Sequence, residues 1–200
     1  MRRFILCVAL LFVPLALYAE GFGGRAEWHF GKKQSALAQQ FTESGRYPNK
    51  VGIEGATLSF HHRGRLIKAQ LDSKGFPTAH SVKGDYWLFE LPVESIAAGT
   101  AIDVFLPFTG NEGENNSFTL EYRDGKKWLS AVEITSTTSH KHLRRLWHTV
   151  VLKQPIVGKG RIMLRLRQVE KADVEFTVAC PSLRGQQPQI VIYNNAPVRD

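Results

Sequence analysis

Three groups of side chains in this sequence have the type and spacing to do chemistry: aromatics in or beside short polar segments, a stripe of arginines, and paired histidines. Sugar rings present apolar C–H faces that stack on exposed Trp or Tyr, while neighbouring Asp, Asn, Arg or His bond the hydroxyls, so the aromatics are candidates for a glycan platform. Tyr47, Phe76 and His80 fall in segments that read as loops (46–49 and 75–84), where ligand contacts concentrate. Trp128 opens a strand after a turn, and Trp147 shares a strand side with Thr149 and Val151, so each is a candidate half-exposed ring. Trp87 alternates with Phe89 and Leu91 and reads as core.

Arg161, Arg165 and Arg167, with Met163 among them, fall on one side of a strand whose other side is Ile162, Leu164 and Leu166. The ordinary role of such a stripe is a solvated face or an edge guarded against aggregation. The functional one is contact with an anionic polysaccharide, whose carboxylates or sulfates planar guanidinium groups grip in bidentate fashion. His61 and His62 are adjacent in a strand and point to opposite faces, which makes them structural. His140 and His142 share a side if extended, yet no carboxylate or thiol completes a ligand set, and Lys141, Arg144 and Arg145 oppose a cation. The turn over 109–116 offers Asn111, Glu112, Glu114 and Asn115 to a structural calcium ion, though a polar, solvated turn explains the same letters; no other cofactor is expected.

No phosphate-binding glycine loop, Cys-x-x-Cys pair, His-Glu-x-x-His or Gly-x-Ser-x-Gly occurs, and the carboxylates are scattered, so the sequence reads as non-enzymatic. The strongest enzymatic competitor is a polysaccharide lyase, which would set a Tyr or His base beside an Arg or Asn that neutralises a uronate carboxylate.

The elements that must position these residues are strands. Residues 116–123 alternate Phe118, Leu120 and Tyr122 with Thr119, Glu121 and Arg123, then Asp124-Gly125 turns the chain before Trp128. The same period marks 57–61, 66–71, 85–91, 101–106, 128–134, 146–153, 161–167, 173–179 and 189–193, which predicts nine or ten strands. Gly, Pro, Asn and Asp punctuate them at the spacing of an antiparallel β-sandwich. Only 33–41 has a helical spacing.

Two stretches, GDYWLFELPVESIAAGTAIDVFLPF (84–108) and NSFTLEYRDGKKWL (116–129), followed by RRLWHTVVL and GRIMLRLR, resemble secreted Bacteroidetes β-sandwich domains of the galactose-binding-like, jelly-roll type. The resemblance spans 28–193. It implies an all-β, antiparallel sandwich that binds glycans or serves as an accessory module; it matches no defined binding residues. An envelope scaffold that binds protein partners and no small ligand is the alternative.

Composition sets the compartment. The chain has 200 residues, 43% hydrophobic, with 26 Lys and Arg against 18 Asp and Glu, the profile of one folded domain. Met1-Arg2-Arg3, an apolar run over 4–17 and Ala19 before Glu20 read as a cleaved secretory signal (1–19), followed by a lead (20–27), the domain (28–195) and a tail (196–200). The mature chain has no second apolar run to span a membrane and keeps only Cys180, so no internal disulfide is expected. These features place it across the inner membrane, in the periplasm or on the outer-membrane surface, with glycans, anionic ones included, and envelope proteins as partners. Nucleic acid is not expected, since no recognised module accompanies the net charge of +8. Intact-mass measurement of envelope-recovered protein should give a chain that starts at Glu20; a membrane-held product that keeps Met1 would refute this.

Overall fold

A computed structural model describes residues 24–30, 44–109, 117–135, 144–170, 174–179 and 181–185. The expected signal, the 33–41 helix, the acidic turn beyond Thr109, His140, His142, Cys180, the 189–193 strand and the tail lie outside these residues.

The described residues form strands and no helix. In chain order these are β1 (Arg25–Glu27), β2 (Arg46–Pro48), β3 (Val51–Gly52), β4 (Thr57–His62), β5 (Arg65–Ile67), β6 (Gln70–Leu71), β7 (Pro77–Ser81) and β8 (Tyr86–Val93). There follow β9 (Ala101–Thr109), β10 (Ser117–Asp124), β11 (Lys127–Thr135), β12 (Arg144–Val151), β13 (Gly160–Gln168), β14 (Val174–Val178) and β15 (Ser182–Gly185). Every pairing between them is antiparallel, and they form two sheets, which makes an antiparallel β-sandwich as the alternation requires. The larger sheet runs β3-β1-β15-β9-β14-β7-β6, with β12 along the other edge of β9; the smaller runs β11-β10-β13-β8-β4-β2, with β5 also on β4.

Fifteen strands exceed the expected nine or ten because several are very short and pair with distant segments. The segment 66–71, read as one strand, is two: β5 pairs with β4 in the smaller sheet and β6 with β7 in the larger, so the chain changes sheets at Lys68-Ala69. Residues 25–27, read as part of the lead, form β1 between β3 and β15. There Gly52 has φ of 100°, and a Cβ would sit 1.6 Å from the Arg25 carbonyl oxygen, so only glycine lets β1 and β3 approach. The expected hairpin is present: Asp124 faces Lys127 across β10 and β11, and Gly125 supplies the positive φ the two-residue turn needs.

The inward side chains build an aromatic core. Phe176 of the larger sheet packs against Phe108 beside it and against Phe60, Trp87 and Phe118 of the smaller, with ring centroids 4.7 to 6.4 Å apart. Trp87 Nε1–H donates to the Phe176 carbonyl at 3.2 Å, so its polar atom is satisfied in the core. Outside this cluster, buried Asp85 accepts from the backbone N–H groups of Arg63 and Val82 at 2.8 and 3.0 Å and lies 2.7 Å from His62 Nδ1. That carboxylate fastens Arg63 in its left-handed turn conformation, which gives His62 the structural role expected of it.

Phe176→Ala should lower the unfolding free energy by about 3–5 kcal/mol, because it removes four ring contacts at a site that neighbours cannot refill. Denaturant unfolding checks this, and an unchanged midpoint would count against Phe176 as the packing centre.

Candidate functional site

Because Leu146 and Val150 turn inward, Trp147, Thr149 and Val151 must turn outward, and Trp147 is 71% exposed. On β9 the inward set is Ile102, Val104, Leu106 and Phe108, which puts Asp103 and Phe105 on the same outer face. Register then carries two rows across four strands. Trp147 lies opposite Phe105, Phe105 opposite Ser182, and Ser182 opposite Glu27. The second row runs Thr149, Asp103, Arg184, Arg25.

The Trp147 and Phe105 rings lie 4.3 Å apart between centroids, so the exposed indole is braced from one side. Thr149 Oγ1–H donates to Asp103 Oδ1 at 2.7 Å. At the far end Glu27 gathers His29 Nε2 at 3.2 Å, Arg184 at 3.5 Å and Arg25 at 3.8 Å. The His29 contact leads in holding the Glu27 carboxyl below its usual range; burial opposes it, and the two arginines assist. Between the aromatic end and the charged end lies a hollow of about 300 Å³, lined by Trp147, Phe105, Asp103, Ser182, Arg184 and Glu27 among others. It offers a flat apolar face, carboxylate acceptors and guanidinium donors within one concavity.

Of the residues singled out in the sequence, only Trp147 belongs to this hollow. Tyr47 does not line any surface: it sits in β2, is 1% exposed, and donates its hydroxyl to the Ala69 carbonyl at 2.9 Å while its own carbonyl accepts from Trp28 Nε1 at 3.0 Å. The loop reading of 46–49 is therefore corrected, and Tyr47 is lost as a stacking platform; burial pushes its pKa up to about 12. His80 also lies in a strand rather than a loop, exposed on β7 opposite Glu175, on the far flank of the sheet. Phe76 is half-buried beside an Asp72-capped turn, where its N–H donates to Asp72 Oδ1 at 2.8 Å.

Trp128, Arg161, Arg165 and Arg167 come together on the outer face of the smaller sheet, bound mainly to their own neighbours. The Arg165 guanidinium lies over Trp128 at 4.1 Å and Tyr86 at 5.1 Å, and His61 stacks on Tyr86 at 4.9 Å. Arg165 and Arg167 both donate to Glu121, Arg167 Nη2 at 2.7 Å, and Arg161 pairs with Glu90 at 2.9 Å. Burial works to raise the Glu121 pKa, and the donors Arg167 and Arg165 overcome it, so the carboxyl titrates below its usual range. The stripe faces outward as the alternation requires, with each of its three charges already engaged.

Among the described residues no group of three or more His, Cys, Asp or Glu could hold a metal ion, and no helix is long and apolar enough to cross a membrane. Sequence reasoning missed Asp103, Phe105, Glu27, Ser182 and Arg184. Phe105 carried a signal, as a large aromatic on the polar parity of its strand; the others meet only through pairing between distant segments.

No family model and no curated protein matches this chain. Among solved structures it is similar to the carbohydrate-binding module TmCBM61 in complex with β-1,4-galactotriose, at 13% identity over 72% of this chain and 93% of that one, TM-score 0.37. It is also similar to the N-terminal cellulose-binding domain of Cellulomonas fimi β-1,4-glucanase C, at 10% identity over 86% and 93% of the two chains, TM-score 0.36. A structure of infectious bursal disease virus, Gx strain, is similar at 8% identity over 72% and 35%, TM-score 0.36. None of these likenesses brings a ligand or a residue role with it.

Glu121 makes a pH prediction. A carboxyl whose folded pKa is depressed adds stability that is present above its unfolded pKa, about 4.3, and lost as pH falls through the folded value. Glu121→Gln should therefore destabilise at neutral pH by about 1–3 kcal/mol and flatten the acid side of the stability profile. Melting curves from neutral to acid pH would show it; a variant whose profile runs parallel to wild type would contradict the assignment.

Proposed function

We propose that this chain is a non-catalytic glycan-binding or accessory domain of the bacterial envelope, and that it holds its ligand on the outer face of the larger sheet around Trp147. The observation that carries the reading is the exposed Trp147 ring, braced by Phe105 and flanked by Asp103, Ser182 and Arg184 in one hollow. An indole left in water costs free energy that folding has elsewhere avoided, since the other described tryptophans are buried or covered by a guanidinium. A pyranose face recovers it, and the polar groups beside the ring read the hydroxyls.

The scaffold alternative draws on the same exposure. Trp147 and half-exposed Val151 share one strand side, which also suits a protein partner. The lyase draws less support: Tyr47 and Tyr122 are buried, which raises the pKa of each, with the Asp124 charge adding to the latter, and His29, the histidine that lines the hollow with Arg184, is bonded to Glu27.

Trp147→Ala should weaken glycan binding at least tenfold while leaving the melting temperature within a few degrees of wild type, since little is buried there. A glycan array followed by calorimetry on the hits tests it. Absence of binding on the array, with no gain in ultraviolet absorbance when uronate polymers are incubated with the protein, would retire both binder and lyase in favour of the scaffold.

A further inference from the structure

We infer that the open edge of β12 takes an extended peptide segment of another protein, added to the larger sheet as a further strand, with β-branched residues at its centre and acidic residues at its ends. This goes beyond the glycan reading and does not rest on it, because an edge binds through backbone groups and leaves the outer face of Trp147 to a sugar. The reason lies in how the two sheets end. The terminal strands β2, β3, β5 and β6 are two or three residues long, too short to template a partner. β11 is long, but its register with β10 skips Ala131, and it carries Lys127 and Glu133. β12 has none of these guards. It runs eight residues against β9 without a shift, and from Leu146 to Leu152 the chain contains no Asp, Glu, Lys, Arg, Gly or Pro. Among the described residues no strand lies along its other side.

The ladder decides which groups face that edge. Leu152, one step beyond the pair of Val151 and Ala101, donates its N–H to the Thr100 carbonyl directly opposite at 3.0 Å, so it is a bonded position, and so, counting back by two, are Val150, His148 and Leu146. The N–H and C=O groups of Arg145, Trp147, Thr149 and Val151 therefore point away from β9 as a continuous row of donors and acceptors. On the outer face the same residues present Trp147 and Val151, 71% and 50% exposed, which neighbours on an added strand would cover. Charge then selects the occupant. Exposed Arg145 stands at one end of the uncharged run and exposed Lys153 just beyond the other, with no carboxylate between them in the chain. A second copy would pair antiparallel about a twofold axis, which lays the Lys153 end of one chain against the Arg145 end of the other, cation to cation. A segment of another protein with acidic ends meets each cation with a carboxylate instead.

Fluorescence-polarisation titration of the full chain tests this with a capped, labelled peptide, Glu-Glu-Val-Thr-Val-Thr-Val-Glu-Glu. Its counterparts carry Lys in place of every Glu, or N-methyl groups on one or the other alternating set of the central residues. The glutamate peptide should bind at least tenfold tighter than the lysine peptide, and more weakly as salt rises. Methylating the set that faces β12 should abolish binding, while methylating the other set should leave it within about threefold, an alternation that strand addition requires. Val151→Pro, which removes an edge donor at a position where proline is tolerated, should cost at least tenfold, and Arg145→Glu should narrow the preference for the glutamate peptide. Trp147→Ala, which should remove glycan binding, should weaken the peptide by no more than about fivefold and keep the alternation, so the two readings fail separately. Hydrogen exchange needs no variant: the amides of Trp147, Thr149 and Val151 should exchange readily in the free chain and slow in the complex. The inference is overturned if the glutamate peptide does not bind by about 1 mM, if binding ignores both methylation patterns, or if those amides are already protected in the free chain, which would mean that the edge is covered from within. It is equally overturned if the lysine peptide binds as well as the glutamate one, or if the chain sediments as a dimer that Val151→Pro dissociates, which would make the occupant a second copy.

Discussion

The packing of Phe176 against Phe108, Phe60, Trp87 and Phe118 is the contact on which the rest of the molecule depends. It joins the two sheets, and once it is made the parity of each contributing strand is settled, because a one-residue slip would put every core ring into water. Parity in turn decides what each sheet shows outside. With Phe108 and Leu106 inward, Phe105 and Asp103 face out; with Leu164 and Leu166 inward, Arg165 and Arg167 face out. The surface chemistry is the remainder left by the core.

The two outer faces use that remainder differently. On the smaller sheet, rings and charges are consumed by one another: Arg165 between Trp128 and Tyr86, with Glu121 beneath it, makes a finished network with few donors to spare. On the larger sheet, Trp147 meets Phe105 alone among the described rings and is 71% exposed. An exposed indole and a saturated one have the same letter in the sequence, and only the neighbours distinguish them.

That difference marks how much was legible beforehand. The alternation placed the long strands, the hairpin at Gly125, the buried Trp87 and the outward arginines, and it set Trp147 on one strand side with Thr149 and Val151 without deciding how far the ring stands in water, since each follows from local period. Tyr47 was misread because Arg-Tyr-Pro-Asn has the letters of a loop, while its strand character comes from pairing with β4 and its burial from a hydroxyl bond to Ala69. The same holds for the partners of the arginines. Glu121 is 44 residues from Arg165 and Glu90 is 71 from Arg161, distances at which no spacing rule operates. Asp103 and Arg184 became neighbours only when β15 paired with β9.

The change of sheets at Lys68-Ala69 has a mechanical side. β5 and β6 belong to opposite walls of the sandwich, yet they are consecutive pieces of one short stretch of chain, with Ala69 buried at the crossing and bonded through its carbonyl to Tyr47. A shear that slid one wall over the other would first have to draw this stretch taut and pull Ala69 from its socket. The walls are thus sewn together at that border by covalent backbone, and the fold resists slippage there as a seam does, apart from any attraction between its faces.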